Sequence, residues 1–324
     1  MEPSRYDVCN GDADGLCAVM QWRLDNPQPA TLVTGLKREI ELVERVPAKA
    51  GDEVLVCDVS LLRNRAALER VLAAGASVRW FDHHAAGEVP VHPRLEVHVD
   101  QSAGVCTSLL VDHHVGGRWR RWALVGAYGD NLSAVADPLA RAMGLTDVER
   151  ARLRALGEAV NYNAYGETPA DVHIAPAALY ARLARHADPL VCADAEPVVA
   201  ELLALRDADL ARAAAVAPRW STDHGVVVVL PDAAWSRRVQ GSFANRIASH
   251  EPARAHAVLR PDARGDYVVS VRAPLHAPAG AHALCRPFGG AGRAAAAGID
   301  RLSPVRVDEF VRAFEAQRWS ASAS

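Results

Sequence analysis

The sequence has little of several features that mark specialised classes of protein. Its 324 residues include six cysteines, and no two of them have the Cys-x-x-Cys spacing of zinc or redox sites. The longest strongly apolar run, Val226–Leu230, is too short to cross a bilayer, and the N-terminus has no apolar signal core. We therefore expect a soluble protein of the reducing cytoplasm, in which the cysteines serve as small apolar residues: Cys9, Cys17, Cys57, Cys106, Cys192 and Cys285.

Excess charge is also absent. The formal net charge is −3, with 23% charged and 50% hydrophobic residues, which is typical of a soluble globular protein. A protein that holds long duplex nucleic acid by bulk electrostatics needs a strong positive charge. The balance argues against that class while leaving a local basic groove open, so a polyanionic ligand of this chain is expected to be short.

Short apolar segments alternate with helix-like segments through the first hundred residues. This order predicts a parallel, doubly wound α/β sheet, because parallel strands need helical crossovers. The predicted strands are 5–9, 30–34, 53–57, 76–81 and 95–99, and the predicted helices between them include 16–24, 38–45 and 61–74.

Acidic residues follow three of these strands. Asp12 and Asp14 come after the first strand, Asp58 after the third and Asp82 after the fourth. The carboxyl ends of parallel strands meet at one edge of the sheet, so these four carboxylates should converge on one crevice. Carboxylates gathered without cations repel each other, and the arrangement therefore predicts metal ions. Each acid by itself is better explained as a turn or loop residue.

The fourth strand ends in Asp82-His83-His84, and a second copy of this tripeptide, Asp112-His113-His114, lies in a predicted helix. The tripeptide alone is weak evidence for a site. Three successive helical residues point in three directions, so the second copy is interpreted as a solvated helix face. The first copy stands at a strand end and is the expected site.

The second half of the chain has a different organisation. A long helix, 196–216, connects it to the first half, and strands are predicted at 225–230, 254–260 and 267–272. A glycine-rich turn at 288–293 precedes a predicted helix of small residues at 294–298 and a closing amphipathic helix at 307–319, with disorder expected over 320–324. These elements predict a smaller mixed-sheet α/β domain.

The motifs in this order resemble the DHH phosphoesterase superfamily, which includes RecJ-like exonucleases and nanoRNase/pAp phosphatases. The residues that carry the resemblance are Asp12-Ala13-Asp14-Gly15, Asp58, Asp82-His83-His84 and Asp130. The segment from Gly290 to Gly298 is similar to the glycine motif of the associated C-terminal substrate domain. The resemblance implies a catalytic domain over 1–194, a linker helix over 195–221 and a substrate domain over 222–324.

The same resemblance implies two metal ions. Asp12 and Asp58 would hold one, while Asp14, Asp58, His83 and Asp130 would hold the other. Mn²⁺ is the implied cation, with Mg²⁺ as the alternative, since a mixed set of oxygen and imidazole ligands suits Mn²⁺. Asp82 would orient the histidine pair and His84 would meet the substrate phosphate; Arg272, Gly290, Gly292 and Arg293 would hold the end of the substrate.

Two positions depart from the family pattern. Asn10 stands where relatives often have His or Asp, and its amide oxygen is a weaker ligand. Arg293 replaces the usual histidine of the glycine motif, where its guanidinium could bind a phosphate through two N–H donors. Because of Asn10, the first metal ion is expected to be loosely held. For Arg272, a role in gripping phosphate and a role as a surface cation are equally open.

We expect a manganese-dependent hydrolase that cleaves a phosphoester in a short nucleotide, such as a di- or oligoribonucleotide or a 3′,5′-bisphosphate nucleotide. Two ions about 3.5–4 Å apart would activate a water. Two alternatives stay open: a phosphatase on polyphosphate or pyrophosphate, and a nucleotide-binding regulator without turnover. No membrane partner is expected, and the sequence leaves a homodimer open.

Overall fold

The computed structural model describes residues 3–320, which form two compact units, one up to Ala204 and the other from Leu205 onward. Disorder is expected over 320–324; Ser320 instead forms an isolated β-bridge with Ala279, and residues 321–324 lie outside the described residues. The first unit contains strands β1 Arg5–Asn10, β2 Thr31–Gly35, β3 Glu53–Cys57, β4 Ser77–Asp82 and β5 Leu95–Val99. Its helices are α1 Ala13–Asp25, α2 Arg65–Ala73, α3 Thr107–His114, α4 Arg120–Gly129, α5 Ser133–Ala142, α6 Asp147–Ala164, α7 Pro176–Leu183 and α8 Pro189–Ala195, followed by α9 Pro197–Ala214, which spans the boundary between the units.

The five strands of the first unit form one parallel sheet in the order β2-β1-β3-β4-β5. Val54 and Val56 of β3 belong to the core beneath α2, together with Leu68. Leu55 and Cys57 alternate with them, are also buried, and face the other side of the sheet. Both faces are covered, as in parallel sheets generally. The predicted doubly wound architecture is confirmed.

The second unit contains a mixed six-stranded sheet in the order β10-β11-β9-β8-β7-β6. Its core includes Val227, Phe288 and the aromatic face of the last helix. The strands are β6 Trp220–Thr222, β7 Gly225–Val229, β8 Ala255–Pro261, β9 Tyr267–Arg272, β10 Ala291–Gly292 and β11 Ala296–Leu302, and the helices are α10 Ala234–His250, α11 Ala281–Cys285 and α12 Val307–Ala316. The smaller mixed α/β domain is confirmed as well.

Two predicted helices are wrong. The segment 294–298 contributes to strand β11, with Ala296 paired to Arg272 and Gly298 to Ser270. Alanine has the highest helix propensity, but pairing with β9 and β10 decides the structure here. Of the predicted helix 38–45, only a 3₁₀ turn at Leu42–Arg45 forms. Within residues 3–320, no helix is long and apolar enough to span a membrane.

Candidate metal centre

The turn after β1 fixes Asp12 and Asp14 in different ways. Asp12 caps α1, because its Oδ1 accepts a hydrogen bond from the N–H of Gly15 at 3.0 Å. Asp14 lies two residues further on and is 1% exposed. Its two oxygens accept hydrogen bonds from the N–H groups of Thr107 and Ser108, each at 2.7 Å. The N-terminus of α3 therefore holds a buried carboxylate in place.

Asp58 follows β3 with a strained backbone. Its φ of +57° lies in the left-handed region, which costs most residues about 1–2 kcal/mol. The side chain is buried, and burial together with the charges of Asp12 and Asp14 raises its pKa well above the ordinary value. Such a carboxyl group ionises fully only when a cation compensates its charge. Strain and crowding of this kind are typical of functional sites.

His83 presents a nitrogen lone pair to these acids. Its Nδ1 lies 3.1 Å from the carbonyl oxygen of Val105. A carbonyl can only accept, so Nδ1 carries a proton, and Nε2 is the nitrogen through which the neutral ring would bind a cation. Nε2 lies 3.4 Å from Oδ1 of Asp58 and 3.9 Å from Oδ2 of Asp14. A lone pair that faces carboxylates is the arrangement expected of a metal-ligating histidine whose other nitrogen is fixed by the backbone.

Asp82 is fully buried and contacts the second histidine of the motif. Its Oδ1 accepts a hydrogen bond from Nδ1 of His84 at 2.7 Å, and this bond raises the pKa of His84. The side chain of His84 is 48% exposed. The ligand atoms of Asp58, His83 and His84 lie within 4.8 Å of one another. Asp82 thus orients one member of the predicted histidine pair, and Val105 orients the other.

Asp130 follows α4 and lines the same cavity as Asp58 and His83. It caps the C-terminal end of that helix, where a negative charge is unfavourable. Burial, followed by the charge of Asp14, raises its pKa to about 6. A cavity of about 230 Å³ is lined by most of the predicted ligands, but not by Asp14. Its lining comprises Asn10, Asp12, Lys37, Ile40, Asp58, Val59, Ser60, His83, His84 and Asp130.

Lys37 is the residue that the sequence reasoning missed. Its Nζ forms an ion pair with Oδ2 of Asp12 inside the cavity. Lys37 lies two residues beyond β2, so the strand-end rule that identified the acids also applies to it. Asn10 lines the same cavity, and its Nδ2 donates to the carbonyl of Lys37 at 3.2 Å.

These contacts determine which ligands fit a divalent cation. Asp58, His83 and Asp130 line the cavity, and Oδ2 of Asp14 lies 3.9 Å from Nε2 of His83. Three carboxylates and an imidazole are a donor set suited to Mn²⁺. Asp12 differs from the other carboxylates in its partner: its Oδ1 accepts from the N–H of Gly15 and its Oδ2 contacts the ammonium of Lys37, so an ion at Asp12 would meet a positive charge already in contact with that carboxylate. Among the described residues, the clustered ligand atoms at this place are those of Asp58, His83 and His84, and Asp12, Asp14 and Asp130 lie outside that group.

The three residues of the second Asp-His-His copy lie in different surroundings, as expected for successive residues of a helix. The interpretation as a solvated face is wrong for Asp112, which is buried and paired with Arg120 at 2.8 Å. His113 is exposed. The ligand atoms of His114 lie within 4.8 Å of those of Glu96 and His98 on β5, in a separate surface cluster.

The predicted substrate residues of the second unit lie at one end of its sheet. Gly292 of β10 pairs with Ala297, and Arg272 of β9 pairs with Ala296. The N–H of Arg293 donates to the carbonyl of Ala296 at 2.8 Å, and Gly290 directly precedes β10. The guanidinium of Arg272 donates to Oδ1 of Asn245 on α10 at 2.7 Å, so Arg272 is a positioned side chain.

Comparison with solved structures identifies the fold. RecJ from Thermus thermophilus in complex with Mn²⁺ matches with a TM-score of 0.59 and 21% identity, over 97% of this chain and 52% of RecJ. The DHH domain of a member of the S1p family of ribosomal proteins matches with a TM-score of 0.63 and 13% identity, over 99% and 88% of the two chains. The chain has the DHH-domain fold.

A third solved structure with this fold, the pGpG-specific phosphodiesterase PggH from Vibrio cholerae, matches with a TM-score of 0.57 and 16% identity, over 97% of this chain and 100% of PggH. This chain spans about half the length of the RecJ protein, 52%, but the full length of PggH. No family model and no curated protein matches the sequence. The DHH resemblance is confirmed at the level of the fold.

Proposed function

We propose that this chain is a metal-dependent phosphoesterase that hydrolyses short nucleotides. The observation that carries the proposal is that Asp58, His83 and Asp130 line one cavity of the DHH-fold unit, while Oδ2 of Asp14 lies 3.9 Å from Nε2 of His83. These four residues would hold a divalent cation, Mn²⁺ or Mg²⁺. A bound cation of this kind lowers the pKa of a water ligand and neutralises phosphoryl oxygens.

The remaining residues of the cavity suit a phosphate group. His84 carries a raised pKa because of its hydrogen bond to Asp82, so the ring is protonated over a wider pH range than a free histidine. A protonated ring donates a strong hydrogen bond to a phosphate oxygen. Asp82 acts through His84 as a positioning residue. Lys37 adds an ammonium to the same cavity.

A short nucleotide is the substrate class that the chain favours. The net charge of −3 does not suit long nucleic acid, and PggH, which acts on the dinucleotide pGpG, is matched over its whole length. In our proposal residues 1–194 are the catalytic domain, 195–221 the linker helix and 222–324 the substrate domain. Arg272 and Arg293, with Gly290 and Gly292, would bind the substrate's terminal phosphate there.

The test is a turnover panel with Mn²⁺ that compares pGpG, pAp, a cyclic dinucleotide, short RNA and DNA oligomers, and tripolyphosphate. We expect release of mononucleotide from the dinucleotide or the bisphosphate. His83→Ala should abolish turnover, and His113→Ala is the matched control. Preference for tripolyphosphate would replace the proposal by the polyphosphatase alternative. Tight binding of a dinucleotide without cleavage would replace it by a regulator.

A further inference from the structure

Lys37 is anchored firmly beside Asp12. Its backbone N–H donates to the carbonyl of Ala164 at 3.1 Å, and its carbonyl accepts from the amide of Asn10. Its ammonium contacts Oδ2 of Asp12 and lies 5.5 Å from the centre of the Tyr165 ring. Because the backbone and side chain are both held, the ammonium has a defined position at the wall of the cavity.

Asn10 supports the same arrangement. Its Nδ2 holds the loop that carries Lys37, while its Oδ1 is buried and accepts no hydrogen bond within the described residues 3–320. A histidine or aspartate at this position would offer a strong ligand to an ion at Asp12, whereas the amide oxygen is a weak one. The position thus holds the lysine loop through its donor, and its unpartnered Oδ1 offers an ion only a neutral amide oxygen in place of a carboxylate or imidazole.

We propose that the ammonium of Lys37 takes the place of one of the two cations expected in this fold, so that the chain binds a single divalent cation at Asp14, Asp58, His83 and Asp130. An ion at Asp12 would have to compete with the ammonium of Lys37, which already contacts that carboxylate. The two positive charges would repel each other. This inference rests on the proposed function only in taking the cavity to be the metal centre of a phosphoesterase.

The number of ions follows from a direct count. Equilibrium dialysis against Mn²⁺ and elemental analysis should give one ion per chain in the cavity, and electron paramagnetic resonance should show an isolated Mn²⁺ rather than a coupled pair. The count is made in wild type and in His98→Ala, since the cluster of Glu96, His98 and His114 is a separate place where an ion could bind. The His98→Ala count reports the cavity alone.

Two variants of the lysine loop sharpen the test. Asn10→Asp combined with Lys37→Ala removes the ammonium and supplies a carboxylate, so the count in the His98→Ala background should rise from one to two with a coupled spectrum. Lys37→Arg keeps the positive charge and should stay at one. Circular dichroism and thermal unfolding confirm that each variant is folded before ions are counted.

The outcomes separate this inference from the proposed function. Two ions in the cavity of His98→Ala, or a folded Asn10→Asp/Lys37→Ala variant that still binds one, would overturn the role of Lys37 and leave phosphoester hydrolysis standing. One ion per cavity without turnover of any substrate would support the inference and overturn the proposed function. A cavity that binds no Mn²⁺ would overturn both.

Discussion

Asp130 offers a quantitative test of the electrostatics of the centre. Burial, followed by the charge of Asp14, raises the pKa of this carboxyl group at the end of α4 from an ordinary value of 3.8 to about 6. Each unit of pKa difference corresponds to about 1.4 kcal/mol. In the metal-free protein at pH 7.5, the ionised Asp130 therefore destabilises the fold by about 3 kcal/mol, which Asp130→Asn should recover.

The pH dependence has a definite sign. A carboxyl group with a raised pKa in the folded state contributes no destabilisation below about pH 4, and its full penalty above about pH 6 to 7. The advantage of Asp130→Asn should therefore fall to about 1.5 kcal/mol at pH 5. With roughly 2–4 °C per kcal/mol for a unit of this size, the melting temperature should rise by about 6–12 °C at pH 7.5.

The measurement is scanning calorimetry in EDTA at pH 5 and pH 7.5. Asp147→Asn is the control, because its side chain is 90% exposed and its ion pair with Arg150 should contribute less than about 1 kcal/mol. With Mn²⁺ the order should reverse, since wild type binds the ion more tightly and gains more stability. An unchanged or lower melting temperature of Asp130→Asn in EDTA at pH 7.5 would refute the reasoning.

Three further predictions follow from other contacts. Asp58→Ala should abolish turnover while His113→Ala stays within about twofold of wild type in a steady-state assay; equal losses would remove the distinction between the two motif copies. Arg293→Ala should raise KM more than it lowers kcat, and an unchanged KM would exclude it from the substrate site. Burial lowers the pKa of His256, so stability should decline as the pH falls below about 6.5; urea unfolding should show a smaller decline for His256→Leu.

The strand ends made much of the centre predictable from sequence. Asp58 and Asp82 follow segments whose apolar character indicates strands, and parallel pairing brings such positions to one edge. The pairing of Lys37 with Asp12 could not be derived in this way, because it depends on the path of the loop after β2 and on a side chain that crosses to the next strand. The helix predicted at 294–298 is also wrong. Its alanines favour a helix locally, but pairing with the neighbouring strands places the segment in β11.

The left-handed backbone at Asp58 limits which residues can ever occupy that position. Glycine, asparagine and aspartate tolerate this conformation, whereas longer or β-branched side chains are strained in it. Of the tolerated residues only aspartate carries a charge, so glutamate is not an equivalent exchange even though it has the same functional group. A saturation library at this position should therefore separate into variants that keep wild-type stability without function and variants that lose about 1–2 kcal/mol as well, with aspartate alone combining this backbone conformation with a carboxylate.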